Sequence, residues 1–322
     1  MIGFGPTMIK EIILAEPRGF CAGVIRAIDA VDEALKIYGA PIYVRKQIVH
    51  NPFVVKELEQ KGAIFVEEVT AVPEGARVIF SAHGIAPTVK AMATKRSLDF
   101  IDATCPLVTK VHIEAVKYAS RGNTIILIGH EGHDEVIGTM GEAPENMVLV
   151  GTVEEAENID ISDPNKVAVI SQTTLSVDDT KGILEVLKKR FPNMITPATS
   201  DICFATQNRQ DAVKLLAKEV DLILVLGAEN SSNSQRLREV ASILGTPSHL
   251  ITNISELQTD WLDGITRIGI TSGASTPEKL VDEVILFFEE NYSPKFKSLK
   301  AVEEDIEFSL PPELIEIKKN LQ

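Results

Sequence analysis

Three cysteines, each set between a strand-like apolar run and an amphipathic helical run, constrain this chain more than any other feature. They are Cys21 in "EPRGFCAGVIRAIDAVDEALK", Cys105 in "DATCPLVTKVH" and Cys203 in "TSDICFATQNRQDAVKLLAKE". After each one the sequence passes through the same order of elements. A helix leads to a strand ("APIYVRKQIV", "NTIILIG", "VDLILVLG") that ends in a polar loop ("HNPF", "HEGHDE", "AENSSNS"). Another helical stretch and a strand with an acidic segment follow. A last strand ("RVIFSAHG", "KVAVISQTT", "RIGITSGAS") closes the repeat in a second polar loop. The spacings agree: Cys21 to His50 is 29 residues, Cys105 to His133 is 28, and Cys203 to Ser232 is 29. To the last loop the intervals are 62 (His83), 68 (Thr173) and 72 (Ser275).

Strands alternating with helices predict βαβ units and parallel sheets. The chain therefore reads as an α/β fold of three pseudo-symmetric parallel-sheet modules, 9–97, 98–193 and 194–292. Residues 293–322, with "PP" and dense charge, read as a C-terminal extension that wraps rather than a domain. In open parallel sheets, ligands bind beyond the carboxyl ends of the strands. Every cysteine and every polar loop lies at such an end. Three modules arranged around one centre would thus gather three thiols and six polar loops.

A cysteine at a helix start has its thiolate favoured by the helix dipole and the free N–H groups. A lone cytosolic cysteine is usually an inert packing residue, but three in equivalent places of three repeats point to a metal site. Zinc–thiolate sites usually use short C-x₂-C pairs, which are absent here. Iron–sulfur clusters take thiolates from distant positions. Three thiolates leave one iron of a [4Fe–4S] cluster open to substrate; the residue pattern alone does not choose between the metals.

The polar loops offer His50, Asn51, His83, His133, Glu135, Thr173, Ser231, Ser232, Asn233 and Ser275. Nearly all are neutral donors placed where a helix is about to begin, a pattern that binds phosphate without lysine or arginine. Any one of them could be an ordinary N-cap. "NSSNS", however, has more side chains than one cap needs, and the histidines favour an anion site. Glu135 is the one carboxylate placed among these donors, where holding a negative charge is costly; its expected work is moving protons. His112 reads as packing or surface, His130 as a neighbour of the site, and Trp261 with the Phe pair of "ILFFEE" as core.

Composition narrows the partners. A net charge of −14 over 322 residues argues against nucleic acid, which needs basic patches, but not against a small phosphorylated ligand. No apolar run reaches bilayer length, "MIGFGPTMIKEIILAEP" does not read as a signal peptide, and an odd cysteine count fits a reducing, cytoplasmic setting.

Nine ordered motifs carry a resemblance: "PRGFCAGV", "GAPIYVRKQIVHN", "FSAHG", "DATCPLVTKVH", "IGHEGHDEVIGTMG", "SQTTLSVDDT", "DICFATQNRQ", "NSSNSQRL" and "TSGASTPEKLV". Together they resemble the 4-hydroxy-3-methylbut-2-enyl diphosphate reductase family, over nearly the whole chain apart from the first eight residues and the tail. The resemblance implies three α/β modules around a [4Fe–4S] cluster held by Cys21, Cys105 and Cys203, one per chain, with one open iron. It implies that His50, His83, Ser231, Ser232, Asn233 and Ser275 hold the substrate diphosphate. His133, Glu135 and Thr173 would lie near the substrate hydroxyl, with Glu135 as the proton source. The implied reaction is a two-electron, two-proton removal of that hydroxyl as water, giving isopentenyl and dimethylallyl diphosphates for isoprenoid synthesis by the methylerythritol phosphate pathway. Electrons would come from an external carrier such as ferredoxin or flavodoxin, since no G-x-G-x-x-G fingerprint is present to hold a nicotinamide.

Two rival readings use the same cysteines. A dehydratase resembling quinolinate synthase would act on carboxylates, and would want Arg or Lys where these loops carry Ser, Asn and His. An iron–sulfur sensor that binds a partner would not need a proton-donating Glu in a phosphate-type pocket.

Overall fold

The computed structural model describes residues 8–320. Along the chain run β1 (Glu11–Glu16), α1 (Ala22–Tyr38), β2 (Ile42–Arg45), α2 (Pro52–Gln60), β3 (Ala63–Val66), β4 (Arg77–Phe80), α3 (Pro87–Lys95) and β5 (Asp99–Asp102). Next come α4 (Pro106–Ala119), β6 (Thr124–Ile128), α5 (Asp134–Met140), β7 (Met147–Val150), α6 (Val153–Asn158), β8 (Val167–Ser171) and α7 (Val177–Arg190). The last stretch holds α8 (Phe204–Leu216), β9 (Leu222–Leu226), α9 (Ser232–Ile243), β10 (Ser248–Ile251), β11 (Arg267–Ser272), α10 (Glu278–Tyr292), β12 (Lys295–Lys300) and α11 (Pro312–Asn320).

These elements form two compact units. The first joins the described residues up to Cys21 to Phe204–Ile306; the second joins Ala22–Cys203 to the described residues from Glu307 onward. The first unit holds one parallel sheet ordered β10-β9-β11-β1-β12. The second holds two, ordered β3-β2-β4-β5 and β7-β6-β8, also parallel.

Local sequence explains the elements. β8 and β9 ("VAVIS", "LILVL") are buried along their whole length, as continuous apolar strands covered on both faces should be. β12 ("KFKSLK") sits at a sheet edge, largely exposed, and its lysines blunt that edge against further pairing. The N-caps are side chains the sequence supplies: Asn51 for α2, Thr152 for α6, Ser176 for α7 and Ser231 for α9 each accept a backbone N–H of the first turn.

The three sheets follow one plan, and the strand leading into each cysteine completes the sheet of the repeat before it. β5, which leads to Cys105, pairs with β4. Ile195, on the way to Cys203, bridges to Ala168 of β8. β1, which leads to Cys21, pairs with β11. The boundaries drawn at 97/98 and 193/194 fall just before these completing segments, and β1 lies with the third repeat rather than the first. The extension likewise adds β12 beside β1, while α11 packs on α1 and β5. Trp261, expected in the core, is half-buried and stacks on His249, with ring centroids 3.7 Å apart and planes 1° apart. Of the Phe pair, Phe288 is buried and Phe287 only partly so.

Among the described residues no helix is long and apolar enough to cross a membrane.

Candidate active site

In each sheet the central strands hand on to connections running in opposite directions, the switch point at which parallel sheets bind ligands. β2 and β4 are such neighbours and end near His50 and His83. β6 and β8 end near His133, Glu135 and Thr173. β9 and β11 end near Ser231–Asn233 and Ser275.

The cysteines share one local geometry. Each directly precedes a helix: α1, α4 or α8. Each backbone N–H is tied to a strand-end loop, Cys21 to Ala274 O (3.1 Å), Cys105 to Ala82 O (3.0 Å) and Cys203 to Thr173 O (3.0 Å). This aligns Thr173 with Ala82 and Ala274, one position before His83 and Ser275, so the counted equivalence of Thr173 with those two is displaced by one residue. Among the described residues none of the three cysteines forms a disulfide, and all three are half-buried. Three soft sulfur donors in repeat-related positions fit an iron–sulfur cluster.

A second regularity was not read from the sequence. A cation five or six residues beyond each cysteine reaches the backbone just before the next cysteine of the cycle. Arg26 Nη1 donates to Thr104 O at 2.9 Å. Lys110 Nζ donates to Thr199 O at 3.1 Å and to Asp201 Oδ1 at 2.8 Å. Arg209 Nη2 donates to Gly19 O at 2.8 Å. Arg26 and Arg209 are buried despite their charge. Asp201, buried as well, also accepts the Ser171 N–H at 2.9 Å, so it ties the end of β8 to α4.

Within the second unit the structure brings together His50, His83, His133, Glu135 and Thr173. The His50 and His83 rings stack with centroids 3.9 Å apart, and His133 stands edge-on to them at 5.3 and 6.0 Å. Burial pushes all three imidazoles toward the neutral form: His50 is lowered, His83 is lowered well below the usual value, and His133 falls to about 3. His133 caps α5, its Nδ1 accepting the Glu135 N–H at 3.1 Å. That bond requires a lone pair on Nδ1, which leaves the proton of a neutral ring on Nε2 as a donor. Asn51 Oδ1 caps α2, while its buried Nδ2 has no hydrogen-bond partner among the described residues, an available donor near His50. His50, His83 and Asp134 each bring one ligand atom within 4.8 Å of the others, a spacing that also suits a cation.

Glu135 is 2% exposed, and Thr173 holds both of its oxygens: Thr173 N–H donates to Oε1 at 2.7 Å and Thr173 Oγ1 to Oε2 at 3.0 Å. Desolvation dominates those bonds and raises the carboxyl to about 7.

Glycine brings the loops of two sheets close. Gly138 and Gly141 lie at the end of α5, against residues 84–86 of the His83 loop. A Cβ at Gly138 would stand 3.3 Å from the Gly84 carbonyl carbon, and one at Gly141 would collide with Ala86 Cβ. Gly84 has φ +83°, a Cβ there would stand 3.0 Å from the His112 ring, and His112 is held in turn by Glu142 at 2.8 Å. His112 is thus a buried support behind the His83 loop.

In the first unit the serine and asparagine loops are knitted together. Asn233 Oδ1 accepts the Ala274 N–H at 2.9 Å, next to Ser275. Ser231 Oγ caps α9 and accepts from Ser234 Oγ at 3.0 Å. Ser231, Asn233 and Ser275 are buried and Ser232 is half-buried. Ser234, which the motif reading passed over, fills the space at Gly227 and Gly273, where any Cβ would collide with it.

Comparison with known proteins bears on these groups. The model of the family described as LytB protein matches residues 12–289. A protein of Acidothermus cellulolyticus named 4-hydroxy-3-methylbut-2-enyl diphosphate reductase is 54% identical over 310 residues, 96% of this chain and 91% of that one. A protein of Aromatoleum aromaticum with the same name is 52% identical over 95% of this chain and 98% of its own. Among solved structures, the E-1-hydroxy-2-methyl-but-2-enyl-4-diphosphate reductase of Plasmodium falciparum superposes with a TM-score of 0.94 at 39% identity, covering 97% of this chain and 99% of that one.

Proposed function

This chain belongs to the LytB family, and from that premise we propose that it reduces (E)-4-hydroxy-3-methylbut-2-enyl diphosphate to isopentenyl and dimethylallyl diphosphates. The single observation that carries the reading from family to chemistry is Glu135, buried, held on both oxygens by Thr173 and raised to about 7. Neither the family match nor the named relatives support the dehydratase alternative.

Cys21, Cys105 and Cys203 are the residues that would hold a [4Fe–4S] cluster. When bound, the cluster supplies electrons and a Lewis-acidic iron. The chain's own residues do the rest. His50, His83, Ser231, Ser232, Asn233 and Ser275 bind the diphosphate. His133 donates from Nε2 beside the substrate hydroxyl. Protonated Glu135 passes its proton to Thr173 Oγ1, whose own proton moves on to the departing hydroxyl. The balance is two electrons and two protons consumed, one C–O bond broken and one water released. Electrons come from a small external carrier such as ferredoxin or flavodoxin, and the protein works in the cytoplasm.

The test is anaerobic turnover of the hydroxylated diphosphate with reduced methyl viologen on iron-loaded protein. Stoichiometric formation of the two product diphosphates is expected. Iron-loaded protein that leaves the substrate intact contradicts the proposal.

A further inference from the structure

A groove of about 570 Å³ runs along α4, the helix that starts at Cys105. Thr109, Ile113, Val116 and Lys117 of α4 form one side, and Pro87 and Lys90 of α3 the other. Thr104, the residue before Cys105 in the chain, also lines it. Ile113 and Val116 are 62% and 48% exposed, unusual for β-branched side chains on a helix face open to water.

Charge sets this surface apart from the rest of the chain. Residues 81–121 carry six Lys and Arg against three Asp and Glu, inside a chain whose net charge is −14. Among the described residues no carboxylate pairs with Lys90 or Lys117. Each lies only over a neighbouring ring, Lys90 at 5.3 Å from Phe100 and Lys117 at 6.0 Å from Tyr118. The two carboxylates that line the groove are already engaged. Asp102 Oδ1 takes the Thr104 N–H at 3.1 Å, and Glu142 Oε1 lies 2.8 Å from His112 Nδ1.

An apolar centre flanked by unpaired cations is the composition of a protein-docking surface, and charge complementarity of this kind acts mainly on association rate. We propose that this groove docks a small acidic one-electron carrier protein of the ferredoxin type, which releases its electron beside Cys105. The inference rests on the reductase reading, since a carrier is needed only if the chain consumes electrons. Each docking oxidises one carrier by one electron. Two dockings and two protons convert one hydroxylated diphosphate into one product and one water.

The experiment compares wild type with Lys90→Glu, Lys117→Glu in the full-length, iron-loaded protein, using reduced plant-type ferredoxin and, separately, methyl viologen. The expected result is a carrier KM raised by about tenfold or more at low salt. Viologen-driven turnover and the cluster absorbance should not change. Added salt should raise the wild-type KM toward that of the variant. Should the double Glu variant fold poorly, Lys90→Gln, Lys117→Gln is expected to shift the KM in the same direction by less. An unchanged carrier KM with normal viologen turnover overturns the docking assignment, as does an equal loss with both reductants. A wild type that fails with viologen overturns the reductase reading instead. In that case calorimetric titration with oxidised ferredoxin still decides whether the groove binds it.

Discussion

Thr173 grips Glu135 with two groups at once, its backbone N–H on Oε1 at 2.7 Å and its hydroxyl on Oε2 at 3.0 Å. The first bond positions the carboxyl; the second puts the Thr173 hydroxyl where the proposed relay needs it, next to the oxygen that would give up its proton. Thr173→Val separates the two, because valine keeps the N–H and the side-chain shape but loses the hydroxyl. Turnover should fall by roughly 10²-fold, the lower end of what general acid catalysis contributes. The lost hydrogen bond itself costs only about 1 kcal/mol of stability. Turnover unchanged within twofold would exclude the Thr173 hydroxyl from the proton path.

The raised carboxyl makes a signed prediction about pH. Folding raises Glu135 from 4.5 to about 7, so the folded state binds the proton more tightly than the unfolded chain. Its contribution to stability is therefore full below pH 4.5 and is lost as pH rises toward 7. Turnover that needs the protonated acid should decline above about pH 7 in parallel. Denaturant melts from pH 5 to 8 on wild type and Glu135→Gln check this: the slope assigned to Glu135 should vanish in the variant. An identical pH slope in both proteins would place the titration elsewhere.

Burial leaves His50 and His83 with little tendency to carry a proton, yet a diphosphate beside them would favour the charged ring. Binding should therefore take up protons near neutral pH, and affinity should weaken as pH rises. Calorimetry of substrate binding in buffers of different ionisation enthalpy measures the uptake directly. It should disappear in the His50→Ala, His83→Ala double variant, which should also bind more weakly, since charge-assisted bonds are about twice as strong as neutral ones. Binding without proton uptake in the wild type would mean that the imidazoles act as neutral donors.

Lys110 joins α4 to the backbone before Cys203 and neutralises the buried carboxylate of Asp201. Lys110→Met should cost about 1.5–3 kcal/mol, the range for a hydrogen bond to a charged group, because Asp201 stays buried without its cation. Iron retention should fall with it if this link holds the Cys203 loop in place. Lys110→Met, Asp201→Asn should regain much of the stability. Iron content and melting point equal to wild type in the single variant would make the link incidental.

The sequence was informative where chemistry is written locally and silent where it depends on partners. Each cysteine announces itself by standing between a strand and a helix, and the polar loops by clustering donors at strand ends. Which sheet β1 or β5 joins is decided by pairing across the fold, and nothing in "EIILAE" or "DFID" encodes that neighbour. Arg26, Lys110 and Arg209 escaped notice because a cation one turn into an amphipathic helix looks like part of a solvated face. Gly138 and Gly141 look like turn residues until the 84–86 loop is seen against them. Trp261 reads as core in the sequence, whereas a flat ring can be satisfied by stacking on His249 while only half-buried.

The most direct measurement takes Glu135→Gln, loaded with iron, and records its melting temperature and its rate of substrate reduction on the same preparation. Glutamine keeps the shape and a hydrogen-bond donor but has no proton to transfer. The account predicts a folded, cluster-bearing, substrate-binding protein whose turnover is lower by about 10²–10⁴-fold. Near-normal turnover in a protein that merely melts earlier would contradict it, leaving Glu135 as a residue that only stabilises the start of α5.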